Sequence, residues 1–348
     1  MTIKKLLWLL PFILIVSIGG VSAQDGDTLN IVATTTQASD IARILTDGVD
    51  NIQISSLMGA GVDPHLYQPT ESDIAAMNQA DIVIFSGLNL EGQFDTVFAA
   101  LSEQGTTIFA LGNPVKEAGY IIGGFNLSAE LSNVDDPHFW FDPRNWELSI
   151  LSLADELGEL DPDNADIYTD NATAYAEELL IVFDWANEAM RSVDEVQRYL
   201  VTSHDAFQYF GAAFGWQMLS IQGLSTEDEA GVGDIQDVVS FIIDNNIPVI
   251  FIESSLPPDT VEAVVEAVED AGGTLRVGVR ELYSDAMGEP DTFGGTYIGM
   301  IAENVYTILQ SYDCAGANVI IPDFPAELTS QPSDTLLTVS CELGADNE

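Results

Sequence analysis

Apolar residues follow two patterns along this chain: short continuous runs, and longer stretches with an apolar residue at every third or fourth position. The runs are typical of buried strands, and the spaced stretches are typical of amphipathic helices. Because the two patterns alternate, the chain is predicted to form an α/β fold with parallel sheets flanked by helices. The predicted strands are residues 29–35, 52–57, 81–86 and 106–111 in the first half and 198–203, 216–221, 249–252 and 275–279 in the second.

The longest amphipathic stretch separates these two halves. It contains no glycine or proline, and apolar residues recur along it from Ile167 to Met190. At about 1.5 Å per residue such a helix would extend about 45 Å, enough to join two lobes, although a surface helix would show the same pattern. The predicted organisation is a signal peptide at 1–23, an N-terminal lobe at 24–162, a connecting helix at 163–192, a C-terminal lobe at 193–313 and a tail at 314–348.

The first 23 residues have the pattern of a secretory signal peptide. Lys4 and Lys5 precede an apolar run at 6–18, and small residues end at Ala23, where cleavage is expected. The run is shorter than the roughly 18 residues that span a bilayer, and it contains no cysteine that could carry a lipid. We therefore expect an exported protein, in the periplasm or at the outer face of the cell membrane.

Acidic residues dominate the composition. The 56 Asp and Glu face nine Lys and Arg, for a formal charge of −47. Loss of the two signal-peptide lysines leaves seven basic residues against 56 acidic ones, a formal charge of −49. This charge excludes nucleic acid and anionic membrane as partners. The acidic residues are spread along the chain, which fits a surface adapted to high salt or one that attracts cations towards a cleft, and the sequence does not separate the two.

Both cysteines lie near the C-terminus, at Cys314 and Cys341. In an exported chain the oxidising environment favours a disulfide between them. A pair of metal thiolates is the alternative, but no histidine or further cysteine lies near them in the sequence. We therefore predict a disulfide that tethers the polar tail.

The chain has only three histidines, and all of them follow predicted strands or constrained loops. His65 and His138 each end an Asp-Pro-His tripeptide, which occurs twice, and His204 follows the strand at 198–203. Ligands of parallel α/β sheets collect beyond the carboxyl ends of the strands, so the three histidines are predicted to share one site. Histidines that merely happen to follow strands are the alternative.

Imidazole and carboxylate are the ligands that zinc binds in tetrahedral sites. The loop after the last predicted strand supplies a carboxylate, and we therefore predict a metal site of His65, His138, His204 and Asp285. Glu253 lies at the end of the preceding predicted strand. It is expected either to support one of the ligands from behind or to be the alternative fourth ligand, on the same grounds. Two ligands come from each half of the chain, so the metal is predicted to lie in the crevice between the lobes.

Eight segments of the chain, in order, match the motifs of one protein family. They are DPHLYQPTESD at 63–73, ADIV at 80–83, GLNLEG at 87–92, DPHFWFDP at 136–143, SHDAFQYF at 203–210, IQGLS at 221–225, FIE at 251–253 and YSD at 283–285. On these motifs the chain resembles the substrate-binding receptors of bacterial ABC importers for zinc and manganese, the periplasmic solute-binding protein family 9. The resemblance covers most of residues 29–312.

The resemblance implies two α/β lobes joined by one long rigid helix, with the metal buried in the cleft and only limited closure. It implies the same four ligands, and a non-catalytic, monomeric receptor whose partner is the membrane permease of an ABC importer. A histidine at the third ligand position, here His204, goes with zinc, and manganese is the second candidate. Because ligand imidazoles must be neutral, metal affinity is expected to fall below about pH 6.5.

Two features depart from the family pattern. Residues 116–135 contain no histidine and are acidic, whereas many zinc receptors carry a histidine-rich loop before the second ligand motif. Gln68 stands where glutamate is usual. A metal-gathering role for the 116–135 segment is therefore not expected.

Two other functions fit a zinc-type site. A zinc hydrolase would hold the metal with three histidines and a water, and Asp285 or Glu253 would serve as general base. An exported metal-binding adhesin, or an acidic calcium-binding protein, would use the same donors without delivering the ion. The sequence contains no HExxH motif and no EF-hand loop, so neither alternative has a motif of its own.

Overall fold

The computed structural model describes residues 28–126, 132–227, 229–338 and 341. The predicted signal peptide lies outside these residues. Among the helices of the described chain, none combines the length and the apolar character that a membrane crossing requires. Strands and helices alternate through both halves, which confirms the predicted α/β fold.

Four parallel strands form the sheet of the first half, in the order β2-β1-β3-β4. Two further strands, β5 and β6, pair as an antiparallel hairpin beside it. Elements of this half are β1 Leu29–Ala33, α1 Thr36–Leu45, β2 Ile52–Ser56, α2 Glu71–Met77, β3 Ile82–Phe85, α3 Asp95–Gln104, β4 Thr107–Ala110, α4 Gly112–Glu117, β5 Gly123–Asn126, β6 Ser132–Asp135 and α5 Pro143–Leu160.

The second half repeats this strand order. Strands β7 and β8 form one parallel pair and β9 and β10 another, and the Phe251 amide donates a 2.9 Å hydrogen bond to the Val201 carbonyl between the pairs. The order is therefore β8-β7-β9-β10. Elements of this half are α6 Ala165–Met190, β7 Tyr199–Thr202, α7 Gln208–Phe214, β8 Gln217–Ser220, α8 Val232–Asn245, β9 Val249–Ile250, α9 Asp259–Asp270, β10 Arg276–Val277, α10 Tyr297–Cys314 and α11 Asp334–Leu337.

Local side-chain hydrogen bonds determine where two helices begin. Thr70 Oγ1 accepts from the Asp73 amide at 3.3 Å, and Asp73 Oδ2 accepts from the Thr70 amide at 2.8 Å, which forms a capping box at the start of α2. Asp142 Oδ1 accepts from the Arg144 amide at 3.0 Å, and Pro143 opens α5. One 3-10 turn, Phe139–Phe141, separates the second Asp-Pro-His tripeptide from α5, so the start of α5 fixes the end of that loop.

The 26-residue helix α6 extends about 39 Å and packs against elements of both halves. Helices α1 and α5 contact it from the first half, and α7 and α10 contact it from the second. One apolar core continues across the halves, and in it the rings of Trp146 and Tyr297 stack with centroids 5.0 Å apart. Because this core is shared, separating the halves as rigid bodies would expose apolar surface to water.

A disulfide joins Cys314, the last residue of α10, to Cys341, as predicted. The tail that it closes lies across the connecting helix, where Trp185 Nε1 of α6 donates a 3.1 Å hydrogen bond to the Pro322 carbonyl. Leu328 and Leu336 of the tail are buried against the main core. The disulfide therefore holds the tail in place over α6.

Replacing both cysteines with serine is expected to lower the free energy of unfolding by roughly 3 kcal/mol. The reason is that the bond closes a loop with a sequence separation of 27 residues, which restricts the unfolded chain. Urea unfolding of the oxidised wild type and of the Cys314→Ser/Cys341→Ser variant measures the difference. Reduced wild type is the control and should unfold like the variant. Equal midpoints for oxidised wild type and variant would show that the tether adds no stability.

Candidate metal site

The structure brings His65, His138, His204 and Asp285 together between the two halves. His65 follows β2, His138 follows β6, His204 follows β7 and Asp285 follows β10. One donor atom from each side chain lies within 4.8 Å of the other three, and all four residues are buried. Two donors come from each half, so the cluster lies in the crevice that the sequence predicts.

Several distances between these donor atoms are close to those around a tetrahedral ion. Zinc bonds of about 2.0–2.1 Å to four tetrahedral ligands place the ligand atoms about 3.3–3.4 Å apart. His138 Nε2 lies 3.4 Å from both His65 Nε2 and His204 Nε2, and 3.2 Å from Asp285 Oδ1. His204 Nε2 lies 3.3 Å from Asp285 Oδ2, and the His65 Nε2 to Asp285 Oδ2 distance is longer, at 4.0 Å.

The repeated Asp-Pro-His tripeptide has the same local structure at both places. Asp63 Oδ1 accepts a 2.8 Å hydrogen bond from the His65 amide, and Asp136 Oδ1 accepts a 2.9 Å hydrogen bond from the His138 amide. An aspartate that accepts from the amide two residues later forms a tight turn, and the proline between them restricts the backbone further. Each tripeptide therefore holds one imidazole in a fixed direction.

Carboxylates behind two of the histidines orient the imidazole rings. His138 Nδ1 lies 2.8 Å from Asp136 Oδ1, and His204 Nδ1 lies 2.6 Å from Glu253 Oε2. A carboxylate only accepts hydrogen bonds, so the proton is on Nδ1 in both rings and the Nε2 atoms can face a metal. Glu253 Oε1 also accepts from the His204 amide at 2.8 Å. Both oxygens of Glu253 therefore bind His204, and this residue lies outside the cluster of four donors.

Burial and charge give the four side chains very different proton affinities. Burial lowers the pKa of His65 to about 3, against the opposing charge of Asp285. Burial also lowers the pKa of His138, but its hydrogen bonds to Asp136 and Asp285 and their charges outweigh that effect and raise the pKa to about 9. The pKa of His204 is raised well above its usual range, because the charges of Glu253 and Asp285 outweigh its burial.

Asp285 supplies a buried negative charge at the centre of the cluster. Its Oδ1 lies 3.2 Å from His138 Nε2, and its Oδ2 lies 3.3 Å from His204 Nε2. Burial alone would raise the pKa of this carboxyl, but the charges of His204 and His138 hold it well below its usual range. A buried, ionised carboxylate needs a compensating cation, which protons on the two imidazoles or a bound metal ion can supply.

The family model described as zinc-uptake complex component A, periplasmic, matches residues 31–311. The chain belongs to this family. Manganese-binding lipoprotein MntA of Bacillus subtilis is 36% identical over 283 residues, which cover 81% of this chain and 89% of MntA. Zinc-binding protein TroA of Treponema pallidum is 36% identical over 291 residues, covering 83% of this chain and 90% of TroA. The names of these relatives are thus divided between zinc and manganese.

A solved structure of a family member has the same fold. Periplasmic zinc binding protein TroA from Treponema pallidum superposes with a TM-score of 0.75 at 35% identity, covering 82% of this chain and 99% of TroA. The part of this chain beyond residue 311, which includes the disulfide-closed tail, lies outside the family match.

Sequence reasoning missed the residues that hold the Asp285 loop from the other half of the molecule. Gln37 Nε2 donates a 3.1 Å hydrogen bond to the Asp285 carbonyl, and Trp140 Nε1 donates one of 3.3 Å to the Ser284 carbonyl. The Trp140 ring also lies edge-on to His138, with centroids 5.3 Å apart. Trp140 lies in the DPHFWFDP motif, two residues after the second histidine. That position could have indicated a residue that packs beside the metal site.

Glu253→Gln is expected to weaken metal binding by about 10–100-fold, whereas Asp136→Asn should change it by only a few-fold. Both substitutions remove one charge, but they differ in hydrogen bonding. Glu253 uses one oxygen for the His204 amide and the other for Nδ1, so a glutamine NH₂ must face a donor. Asp136 accepts both bonds through Oδ1, and its Oδ2 has no hydrogen-bond partner in the described part of the chain, so an asparagine preserves the arrangement.

A competition titration of both variants and the wild type against a zinc chelator measures this difference. Equal losses in the two variants would mean that the negative charge, rather than the orientation of the imidazole, is what the carboxylates contribute.

Proposed function

We propose that the protein is an exported receptor that binds one divalent transition-metal ion and delivers it to the membrane permease of an ABC importer. The observation that carries this proposal is the set of four buried donors, whose ligand atoms all lie within 4.8 Å of one another. Four protein ligands enclose an ion completely, whereas a hydrolytic zinc site keeps an open position for water. The arrangement therefore favours a carrier over a zinc hydrolase, and membership in a family of solute receptors agrees.

The proposed ligands are Nε2 of His65, His138 and His204 and one carboxylate oxygen of Asp285. We propose zinc as the preferred ion and manganese as the second. Three imidazoles favour zinc, because manganese prefers oxygen ligands. The second carboxylate that would shift the balance towards manganese, Glu253, has both oxygens occupied by His204.

We further propose the organisation predicted from the sequence: cleavage after Ala23, a monomeric mature protein, and two lobes with the boundaries given above. Helix α6 packs against helices of both halves, which supports its role as the connecting helix. The disulfide supports an oxidising location outside the cytoplasm.

Metal content and thermal unfolding of the purified mature protein test the proposed function. One equivalent of zinc is expected per chain, and zinc at about 1,000 times its dissociation constant should stabilise the fold by about 4 kcal/mol. Manganese should give a smaller increase in the unfolding temperature at the same concentration. A chain that retains no metal and shows no increase with either ion would contradict the proposal.

A further inference from the structure

The bound ion would have little open space around it. Of the four proposed ligands, His138, His204 and Asp285 are at most 1% exposed and His65 is 5% exposed. A recess of about 10 Å³ lies above His65, which is room for about one water. Exchange of a hydrated ion therefore requires part of the wall around His65 to move. Rigid-body separation of the halves would break the shared core, so a local movement is the easier route.

The wall contributed by the first half is firmly held. Leu88 and Asn89 line the recess, with φ of 54° and 70°, a left-handed conformation that is uncommon for residues other than glycine. The buried carboxylate of Glu91 accepts hydrogen bonds from the amides of Ser86 at 2.8 Å and Gly87 at 3.1 Å. It also accepts from Thr34 Oγ1 at 2.8 Å. These bonds keep that wall in place.

The opposite wall belongs to a segment without regular structure. Leu224 and Ser225 line the recess, and they lie between β8 and α8, where the described residues form neither helix nor strand. We call residues 221–227 the entrance segment. The Gln222 amide donates a 2.8 Å hydrogen bond to the Ser203 carbonyl, and the Asp205 amide donates one of 3.1 Å to the Gly223 carbonyl. These bonds hold the start of the segment, so a movement would involve residues 224–227.

One partly buried hydrogen bond joins the entrance segment to the first Asp-Pro-His tripeptide. Thr226 Oγ1 donates to Asp63 Oδ2 at 2.6 Å, and Thr226 is 6% exposed. The other oxygen of Asp63 accepts from the His65 amide. Asp63 therefore joins the entrance segment of one half to a proposed metal ligand of the other. A second link between the halves, from Gln93 Nε2 to Glu227 Oε1 at 3.1 Å, is exposed.

We propose that the hydrogen bond from Thr226 to Asp63 is a latch that sets the rate of metal exchange. This inference rests on the proposed function. Thr226 is a positioning residue, because it contacts Asp63 rather than the ion. Since the latch lies outside the set of metal donors, it closes the loaded and the empty protein alike. Breaking it accelerates both binding and release and leaves the equilibrium affinity nearly unchanged.

Stopped-flow kinetics of Thr226→Val test the latch. Valine keeps the shape of threonine and removes the hydroxyl. Mixing zinc-loaded protein with excess chelator gives the release rate, mixing empty protein with zinc gives the binding rate, and chelator competition gives Kd. A hydrogen bond to a charged group predicts a rise of at least tenfold in both rates, with Kd within threefold of wild type. Thr226→Ser restores the hydroxyl and should restore both rates.

Gln93→Ala is the matched control, because it removes an exposed link between the entrance segment and the other half, and it should leave both rates within threefold of wild type. A release rate in Thr226→Val equal to that of wild type would overturn the latch. So would faster release with an unchanged binding rate, because Thr226 would then only support affinity. A wild type that binds no zinc would overturn the proposed function itself, and this inference with it.

Discussion

His138→Ala is expected to weaken zinc binding by about 10²–10³-fold, because it removes one of four ligands from a site whose total binding free energy is typically about 10–16 kcal/mol. His138 is the donor closest to all the others, with Nε2 within 3.4 Å of His65 Nε2, His204 Nε2 and Asp285 Oδ1. Its loss also leaves the buried carboxylates of Asp136 and Asp285 without that imidazole. Chelator competition at constant pH and ionic strength measures the change.

His65→Ala serves as the comparison, because it also removes one ligand but leaves Asp136 and its hydrogen-bond partner intact. Its zinc affinity should fall by a similar factor, while its stability without zinc should stay closer to that of wild type. Circular dichroism and thermal unfolding establish that both variants fold. If a folded His138→Ala protein binds zinc within threefold of wild type, His138 is not a zinc ligand.

Zinc affinity is expected to rise steeply with pH between about 6 and 8. The pKa of His138 is about 9 and that of His204 is raised well above its usual range, so both imidazoles carry protons at Nε2 before metal binds. The pKa of His65 is about 3, so this histidine adds no proton competition in that interval. An ion of charge +2 therefore replaces two protons, and its affinity should change by up to about 100-fold per pH unit.

Chelator competition at pH 6, 7 and 8, corrected for protonation of the chelator, measures this slope. Calorimetry in buffers with different ionisation enthalpies counts the protons directly, and about two per zinc are expected. A corrected affinity that stays constant across this interval would show that both imidazoles are neutral before metal binds. This interval lies higher than the one expected from ordinary histidines, because the carboxylates behind the rings stabilise the protonated forms.

The fold class could be predicted because the inner strands of the two parallel sheets are largely apolar. Ile31, Val83 and Leu200 are fully or nearly fully buried in them, as central strands require. Within residues 106–134, only the strand at 106–111 has a clear apolar pattern. Helix α4 there contains Pro114 in its six residues, a composition typical of a loop. Strands β5 and β6 pair with an irregular register. Their sequences lack the alternation of apolar and polar residues that indicates a strand.

The four proposed ligands could be predicted because histidine is rare in this chain and each one follows a strand or constrained loop. For Glu253 the sequence left two roles open, a support behind a ligand or an alternative ligand. The choice depends on β7 and β9 lying side by side, so that this carboxylate reaches an imidazole 49 residues away, and no local pattern reveals that pairing. The hydrogen bond from Thr226 to Asp63 could not be predicted either, because it joins residues 163 positions apart in the sequence.

Anomalous diffraction at the zinc edge from crystals of the zinc-loaded protein tests the central claim most directly. One peak per chain is expected, about 2.0–2.2 Å from Nε2 of His65, His138 and His204 and from a carboxylate oxygen of Asp285, with no water bound to the ion. A peak elsewhere, or a water in place of any of these four donors, would contradict a site that encloses its ion completely.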